Sequence, residues 1–122
     1  SNRYNLAESI FATGIPSIGQ DGHDLFLSQL AEVMAVSAGV RRFGSAALDL
    51  AYVASGRFEG FWEKNLNLWD VAGGIIIVRE AGGHISNFKR GTELLGSHGI
   101  VASNQVIHDT LIKILKSNGQ KV

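Results

Sequence analysis

Residues 67–83 read NLWDVAGGIIIVREAGG, and the architecture of the chain depends on whether they form a helix or a strand. Its centre, residues 75–78, is Ile-Ile-Ile-Val, which favours a strand by intrinsic propensity. The flanks favour a helix, because Asp70 can cap free backbone N–H groups and residues 79–81 are good helix formers. Gly82 and Gly83 then supply the left-handed stop that ends many helices. We therefore predict a helix across this stretch, with Asp70 as its N-cap.

Helices and strands alternate on both sides of this helix. Residues 21–37 carry Leu27, Leu30 and Met34 at the spacing of one helical face, behind Asp24 as a candidate N-cap. Asn104 can cap a last helix, whose predicted inward face consists of Ile107, Leu111, Ile114 and Leu115. The remaining predictions are a helix at residues 46–55 and strands at residues 6–13, 40–43, 57–63, 84–88 and 99–102.

This alternation is typical of a layered α/β fold, a sheet flanked by helices. A chain of 122 residues can bury the core of one domain. We find no internal repeat, low-complexity tract or linker. Residues 1–122 are therefore expected to form a single domain.

Composition argues against several classes of function. The chain has 11 basic and 11 acidic residues, so its net charge is zero and it lacks the basic surface expected for direct nucleic-acid binding. Cysteine is absent, which removes disulfides, thiolate catalysis and cysteine-ligated zinc. No apolar run is long enough to span a membrane, and the first residues show no signal-peptide core. These features favour a cytoplasmic location.

The junction Phe43-Gly44-Ser45-Ala46 leads from a predicted strand into a predicted helix. A helix N-terminus exposes unpaired N–H groups and a partial positive charge, which attract anions. Gly44 would let a ligand approach the backbone, and Ser45 could turn toward a phosphate or hydroxyl group. The alternative is an ordinary serine cap after a glycine turn. Spacing alone leaves both interpretations open.

The predicted strand at residues 57–63 has alternating character. It should place Phe58 and Trp62 on one face of the sheet, with Glu59, Phe61 and Glu63 on the other. Glu63 would then stand at the carboxyl end of the strand. Alone, such a glutamate is more often a solvated surface residue than part of a site.

Asp70 also has two interpretations. As an N-cap it would stabilise the helix by roughly 0.5–2 kcal/mol. As a hard carboxylate ligand it would suit Mg²⁺, which usually binds one or two carboxylates, water and substrate phosphate oxygens. Glu63, seven residues earlier, could lie at the same edge of the sheet. Composition does not separate these possibilities.

Three segments together resemble one known family. They are residues 69–74, WDVAGG, with residues 79–83, REAGG; residues 41–57, RRFGSAALDLAYVASGR; and residues 58–63, FEGFWE. WDVAGG with REAGG is similar to the C-terminal signature of the inositol monophosphatase family, and the two upstream segments are similar to its bacterial branch. The resemblance covers nearly the whole chain. It implies the corresponding half of that fold, a layered α/β/α arrangement around a central mixed sheet of about five strands.

The resemblance also implies roles for individual residues. Asp70 matches the aspartate that ligates catalytic Mg²⁺, and Glu63 matches the carboxylate that accepts hydrogen bonds from an inositol hydroxyl. Gly44, Ser45 and Ala46 match the segment that lines the substrate pocket. Members of the family are Mg²⁺-dependent, typically lithium-sensitive phosphomonoesterases and commonly homodimers. The implied substrate is inositol 1-phosphate, a small phosphate monoester.

The sequence departs from the family pattern in one large respect. The signature Asp-Pro-Leu-Asp-Gly-Thr and its upstream paired glutamates, which supply most metal ligands in the family, do not occur here. The chain therefore resembles the C-terminal half of such an enzyme, and we expect the isolated chain to be inactive. A smaller departure is Asn67, where some relatives carry histidine, so substrate preference stays open.

Two alternatives remain at this point. Sibling families that act on 3'-phosphoadenosine nucleotides or fructose bisphosphate share the Trp-Asp motif. Some bacterial relatives are also linked to RNA-processing or transcription machinery, so the chain could instead be a non-catalytic dimerisation or protein-interaction module.

Overall fold

One mixed sheet forms the centre of the fold. The computed structural model describes residues 5–14, 23–95 and 99–119. Within them the strands are β1 (Ile10–Thr13), β2 (Gly39–Arg41), β3 (Gly60–Glu63), β4 (His84–Ser86) and β5 (Ile100–Ser103). Their order is β2-β1-β3-β5-β4; β1 runs parallel to β2 and β3, and β5 runs antiparallel to β3 and β4. The predicted mixed sheet of about five strands is confirmed.

Helices cover both faces of this sheet. They are α1 (His23–Val36), α2 (Ala46–Ala54), α3 (Leu68–Glu80) and α4 (His108–Gly119). Successive strand residues point to opposite faces, so Phe61 packs with Leu50 of α2 and Val78 of α3, while Trp62 packs with Val33 of α1 and Leu111 of α4. This arrangement confirms the α/β/α layers. None of the helices in the described part of the chain combines the length and apolarity that a membrane crossing needs.

Residues 75–78 are helical as predicted, but the helix does not begin as predicted. Its N-cap is Asn67, and Asp70 is the third residue inside α3. The Asn67 N–H donates to Asp70 Oδ2 at 3.0 Å, so the carboxylate still satisfies a free donor at the helix start. At the other end Gly82 has φ +83°, which confirms the left-handed stop.

Two boundaries near the start of the chain differ from the prediction. The predicted strand at residues 6–13 starts as a 3₁₀ turn, Leu6–Glu8, in which the Ala7 N–H donates to the Asn5 side chain. Asp24 lies in the first turn of α1 and is not its N-cap.

Phe58 and Trp62 do not share a face of the sheet. β3 begins only at Gly60, and Phe58 packs with Phe61 on the side of α2 and α3. Trp62 packs on the opposite side, against α1 and α4. The alternation expected from residue 57 onward was therefore wrong before residue 60.

The C-terminal helix follows the prediction closely. Asn104 Oδ1 accepts the Ile107 N–H at 2.9 Å, in the turn that leads into α4. Ile107, Leu111 and Leu115 are buried, and Ile114 is partly buried against the same core. The predicted inward face is confirmed.

Gly74 brings α3 close to α2. A Cβ atom at residue 74 would lie 2.7 Å from Leu50 Cβ, whereas a Cβ at Gly73 would meet nothing within 4 Å in the described part of the chain. Of the two adjacent glycines, Gly74 therefore serves the contact between the two helices, and Gly73 does not.

We expect Gly74→Ala to lower the free energy of unfolding of the full-length protein by about 1–3 kcal/mol, because the added methyl group overpacks the contact with Leu50. Gly73→Ala is the matched control and should raise it by up to about 1 kcal/mol, since alanine is the better helix former. Urea unfolding of both variants measures the difference. Equal effects of the two substitutions would contradict the packing argument.

A buried histidine joins α4 to the two antiparallel strands at the sheet edge. His108 Nε2 lies 2.9 Å from Ser86 Oγ of β4, and His108 Nδ1 lies 2.8 Å from Ser103 Oγ of β5. The pKa of His108 is lowered to about 4, mainly by burial and also by the neighbouring His84. The folded protein therefore holds this imidazole neutral at neutral pH.

This lowered pKa predicts a loss of stability in acid. Above pH 6.5 the imidazole is neutral in both states; between pH 6.5 and about 4 only the unfolded chain takes up the proton, so the folded state loses stability as pH falls. The loss should reach up to about 3 kcal/mol. Urea unfolding of wild type and His108→Gln across this range isolates the effect, because the glutamine variant lacks the titrating group. An unchanged difference between the two proteins at every pH would contradict it.

Candidate active site

A cavity of about 530 Å³ opens at the carboxyl edge of the three parallel strands. Gly14 follows β1, Arg42 follows β2 and Glu63 ends β3. Ligands of open α/β sheets commonly bind at this edge, where strands end and helices begin. The cavity is lined by Gly14, Arg42, Gly44, Ser45, Ala46, Ala47, Asp49, Glu63, Leu66, Trp69 and Asp70. All five residues that we predicted as site residues, Gly44, Ser45, Ala46, Glu63 and Asp70, therefore line the same cavity.

The start of α2 forms one wall of the cavity. Gly44 has φ +81°, a conformation that strongly favours glycine, and no described residue comes within 4 Å of where a Cβ would stand. Ser45 is the N-cap, and its Oγ accepts the Leu48 N–H at 3.3 Å. Ser45 therefore caps the helix, as the ordinary interpretation predicted, and it also lines the cavity. The first N–H groups of a helix lack partners within the helix and carry a partial positive charge, so this end of α2 favours an anionic or polar oxygen.

Glu63 is half-buried in the cavity, and its carboxylate fills the space beside Gly14 that any side chain at residue 14 would need. Burial is the main reason why the pKa of Glu63 rises to about 7, and the charges of Asp49 and Asp70 raise it further. The Arg42 guanidinium opposes this rise. Near neutral pH the Glu63 carboxyl group can therefore both donate and accept hydrogen bonds.

Asp70 fits the role of one carboxylate ligand to a hard cation. It lines the cavity, and its Oδ2 accepts the Asn67 N–H. Mg²⁺ typically takes one or two carboxylates and completes its shell with water and phosphate oxygens. In residues 5–14, 23–95 and 99–119, no group of three or more histidine and acidic side chains could hold a metal ion. Within that part of the chain, Asp70 can contribute to such a site without completing it.

Asp49 is the main cavity residue that the sequence analysis did not select. Its side chain is 1 % exposed, and its Oδ1 has no hydrogen-bond partner in the described part of the chain. Burial raises the pKa of Asp49 to about 6. A sequence signal was available, because Asp49 lies four residues after the N-cap Ser45 in an otherwise apolar helix, which places both on one face.

Arg42 and Trp69 complete the cavity rim. Arg42 stands two residues before the Gly44 turn, and Trp69 is 82 % exposed at the start of α3. A tryptophan so exposed is unusual in a folded protein. Its place immediately before Asp70 was visible in the sequence, but its exposure was not.

The model of the inositol monophosphatase family matches residues 2–120 of the chain. The chain belongs to this family. An inositol-1-monophosphatase of Mesorhizobium japonicum is 47 % identical over 116 residues, which cover 95 % of this chain and 44 % of that relative. The Nus factor SuhB of Pseudomonas aeruginosa is 39 % identical over 118 residues, covering 95 % of this chain and 44 % of that protein. The family predicted from the WDVAGG and GSAALDL segments is confirmed.

Solved structures of inositol monophosphatase relatives share the fold. The extragenic suppressor protein suhB of Bartonella henselae superposes with a TM-score of 0.90 at 47 % identity, covering 95 % of this chain and 45 % of that structure. The chain therefore spans slightly less than half the length of the relatives it matches.

Proposed function

We propose that the full-length protein containing this chain is a Mg²⁺-dependent phosphomonoesterase that hydrolyses inositol 1-phosphate to myo-inositol and phosphate. One observation carries the proposal: a single cavity brings together Asp70, Glu63 and the start of α2 at Gly44, Ser45 and Ala46. By resemblance, these residues match the positions at which the family binds metal and substrate. We further propose that this chain supplies the C-terminal half of the enzyme, because its motifs resemble the family's C-terminal signature and the chain covers slightly less than half of its relatives.

The chain's own residues suit the polyol part of the substrate. The N–H groups at the start of α2 can bind an oxygen that carries partial negative charge. Glu63 can accept a hydrogen bond from a substrate hydroxyl and fix the orientation of the ring. Asp70 would hold Mg²⁺, which stabilises negative charge on the phosphate and leaving oxygen when bound. By family resemblance we expect lithium to inhibit the reaction.

A substrate panel tests the proposed reaction. We expect kcat/KM for inositol 1-phosphate to exceed that for 3'-phosphoadenosine 5'-phosphate and for fructose 1,6-bisphosphate by about 10-fold or more, a difference that one additional well-placed hydrogen bond can produce. Steady-state kinetics of the full-length protein at saturating Mg²⁺ measure these values. Far higher kcat/KM for the nucleotide or the bisphosphate would assign the protein to a sibling function.

A role in protein assembly, including a homodimer, is the second candidate. Two observations favour it: relatives such as the Pseudomonas protein are named Nus factor SuhB, and large apolar side chains such as Trp69, Ile76 and Ile77 are exposed on α3. Size-exclusion chromatography with light scattering tests the homodimer in the full-length protein. Co-purification of a stoichiometric partner with a full-length protein that lacks phosphatase activity would favour the assembly role over the enzyme.

A further inference from the structure

We propose that Asp49 is a specificity-determining residue that pairs with Glu63 to bind two hydroxyl groups on the unphosphorylated part of the substrate. The inference rests on the proposed phosphatase function and extends it. It predicts that the protein selects a phosphate monoester whose body is rich in hydroxyl groups and carries no second phosphate.

Asp49 has hydrogen-bonding capacity that no described residue meets. Its Oδ1 is buried without a partner among the described residues, although a buried polar atom without a partner is costly. The side chain forms part of the cavity wall, so the cavity is the direction from which a donor can come. The Asp carboxyl group rotates readily about χ2, which lets either oxygen face the cavity. A ligand donor would supply the missing hydrogen bond.

Asp49 and Glu63 lie at the same cavity. Asp49 lies one helical turn after Ser45, and its charge reaches Glu63 strongly enough to raise the pKa of that carboxyl. Burial raises the pKa of Asp49 itself to about 6. Both residues line this cavity, and burial makes each carboxyl group better suited to a neutral hydrogen-bonding partner than to bulk solvent.

The residues that line the cavity include more acidic than basic side chains. Asp49, Glu63 and Asp70 are three acidic groups, and Arg42 is the one cationic side chain among the residues that line the cavity within the described chain. A second phosphate on the substrate would be repelled by Asp49 and Glu63, the two carboxyl groups that are not assigned to Mg²⁺. Hydroxyl groups carry no charge and can donate to both. The arrangement therefore favours a polyol monophosphate over a bisphosphate.

The test compares two substrates in the full-length protein. Inositol 1-phosphate carries the hydroxyl groups that Asp49 and Glu63 would bind, and p-nitrophenyl phosphate carries none. For Asp49→Leu we expect the ratio of their kcat/KM values to fall by about 10-fold or more, mainly through a higher KM for inositol 1-phosphate. Asp49→Asn keeps the shape of the side chain and one acceptor oxygen, so it should fold as wild type and lower the ratio by a smaller factor.

Asp109→Asn is the matched control. Asp109 is an exposed aspartate of α4 that pairs with Arg90 at 3.1 Å, on the opposite side of the sheet from α2. We expect this variant to leave the ratio unchanged.

The possible outcomes separate the inference from the proposed function. A wild-type protein that hydrolyses inositol 1-phosphate, with the same substrate ratio in both Asp49 variants, would overturn the inference alone. Equal losses with both substrates would do the same, because they would show that Asp49 supports the fold or meets a donor from the rest of the protein. A wild-type protein that hydrolyses neither substrate would overturn the proposed function and this inference together.

Discussion

Asp70→Asn is expected to lower kcat/KM of the full-length protein for inositol 1-phosphate by about 100-fold or more. The substitution removes the negative charge that would hold Mg²⁺ in the cavity, yet asparagine keeps an oxygen that can accept the Asn67 N–H, so α3 should still begin correctly. Part of the loss should be recovered at high Mg²⁺ concentration, because weaker metal binding is offset by mass action. Initial rates across a Mg²⁺ titration measure both effects.

Glu80→Gln is the control for this prediction. Glu80 is the last residue of the same helix and lies outside the cavity. We expect its substitution to leave activity and Mg²⁺ dependence unchanged. Wild-type activity of Asp70→Asn at both limiting and saturating Mg²⁺ would show that Asp70 is not a metal ligand.

The isolated 122-residue chain should show no Mg²⁺-dependent phosphatase activity, whereas the full-length protein should be active. Asp70 offers one carboxylate, and the described residues contain no group of three or more acidic or histidine side chains that could hold a metal ion. Mg²⁺ dehydrates reluctantly and binds weakly to a single carboxylate, and hydrolysis by metal ions needs several positioned ligands. The relatives are more than twice as long as this chain, so the other ligands have room elsewhere in the protein.

Phosphatase assays on the isolated and full-length proteins at equal concentration measure this difference. Circular dichroism of the isolated chain distinguishes an inactive folded chain from an unfolded one. Appreciable turnover of inositol 1-phosphate by the isolated chain, abolished by Asp70→Asn, would contradict the assigned ligand set.

Local patterns predicted the elements of the fold better than their ends. Residues 75–78 favour a strand by themselves, but the capping residues before them and the glycine stop after them correctly predicted a helix. The N-cap was misplaced by three residues, since Asn67 and Asp70 are both good capping residues and only the path of the chain shows which one lies outside the helix. Phe58 was placed on the wrong face because the first residue of β3 depends on its partners in β1 and β5.

Local patterns were enough to predict the order of helices and strands and the family, and through the family they pointed to Gly44, Ser45, Ala46, Glu63 and Asp70. These features depend on neighbouring residues, whose propensities, spacings and caps act within a few positions along the chain. Only packing places the Glu63 carboxylate against Gly14, buries Asp49 with no partner for Oδ1 among the described residues, and brings these groups to one cavity. Burial and charge coupling arise from residues that are distant in sequence and meet only after the sheet and helices have packed.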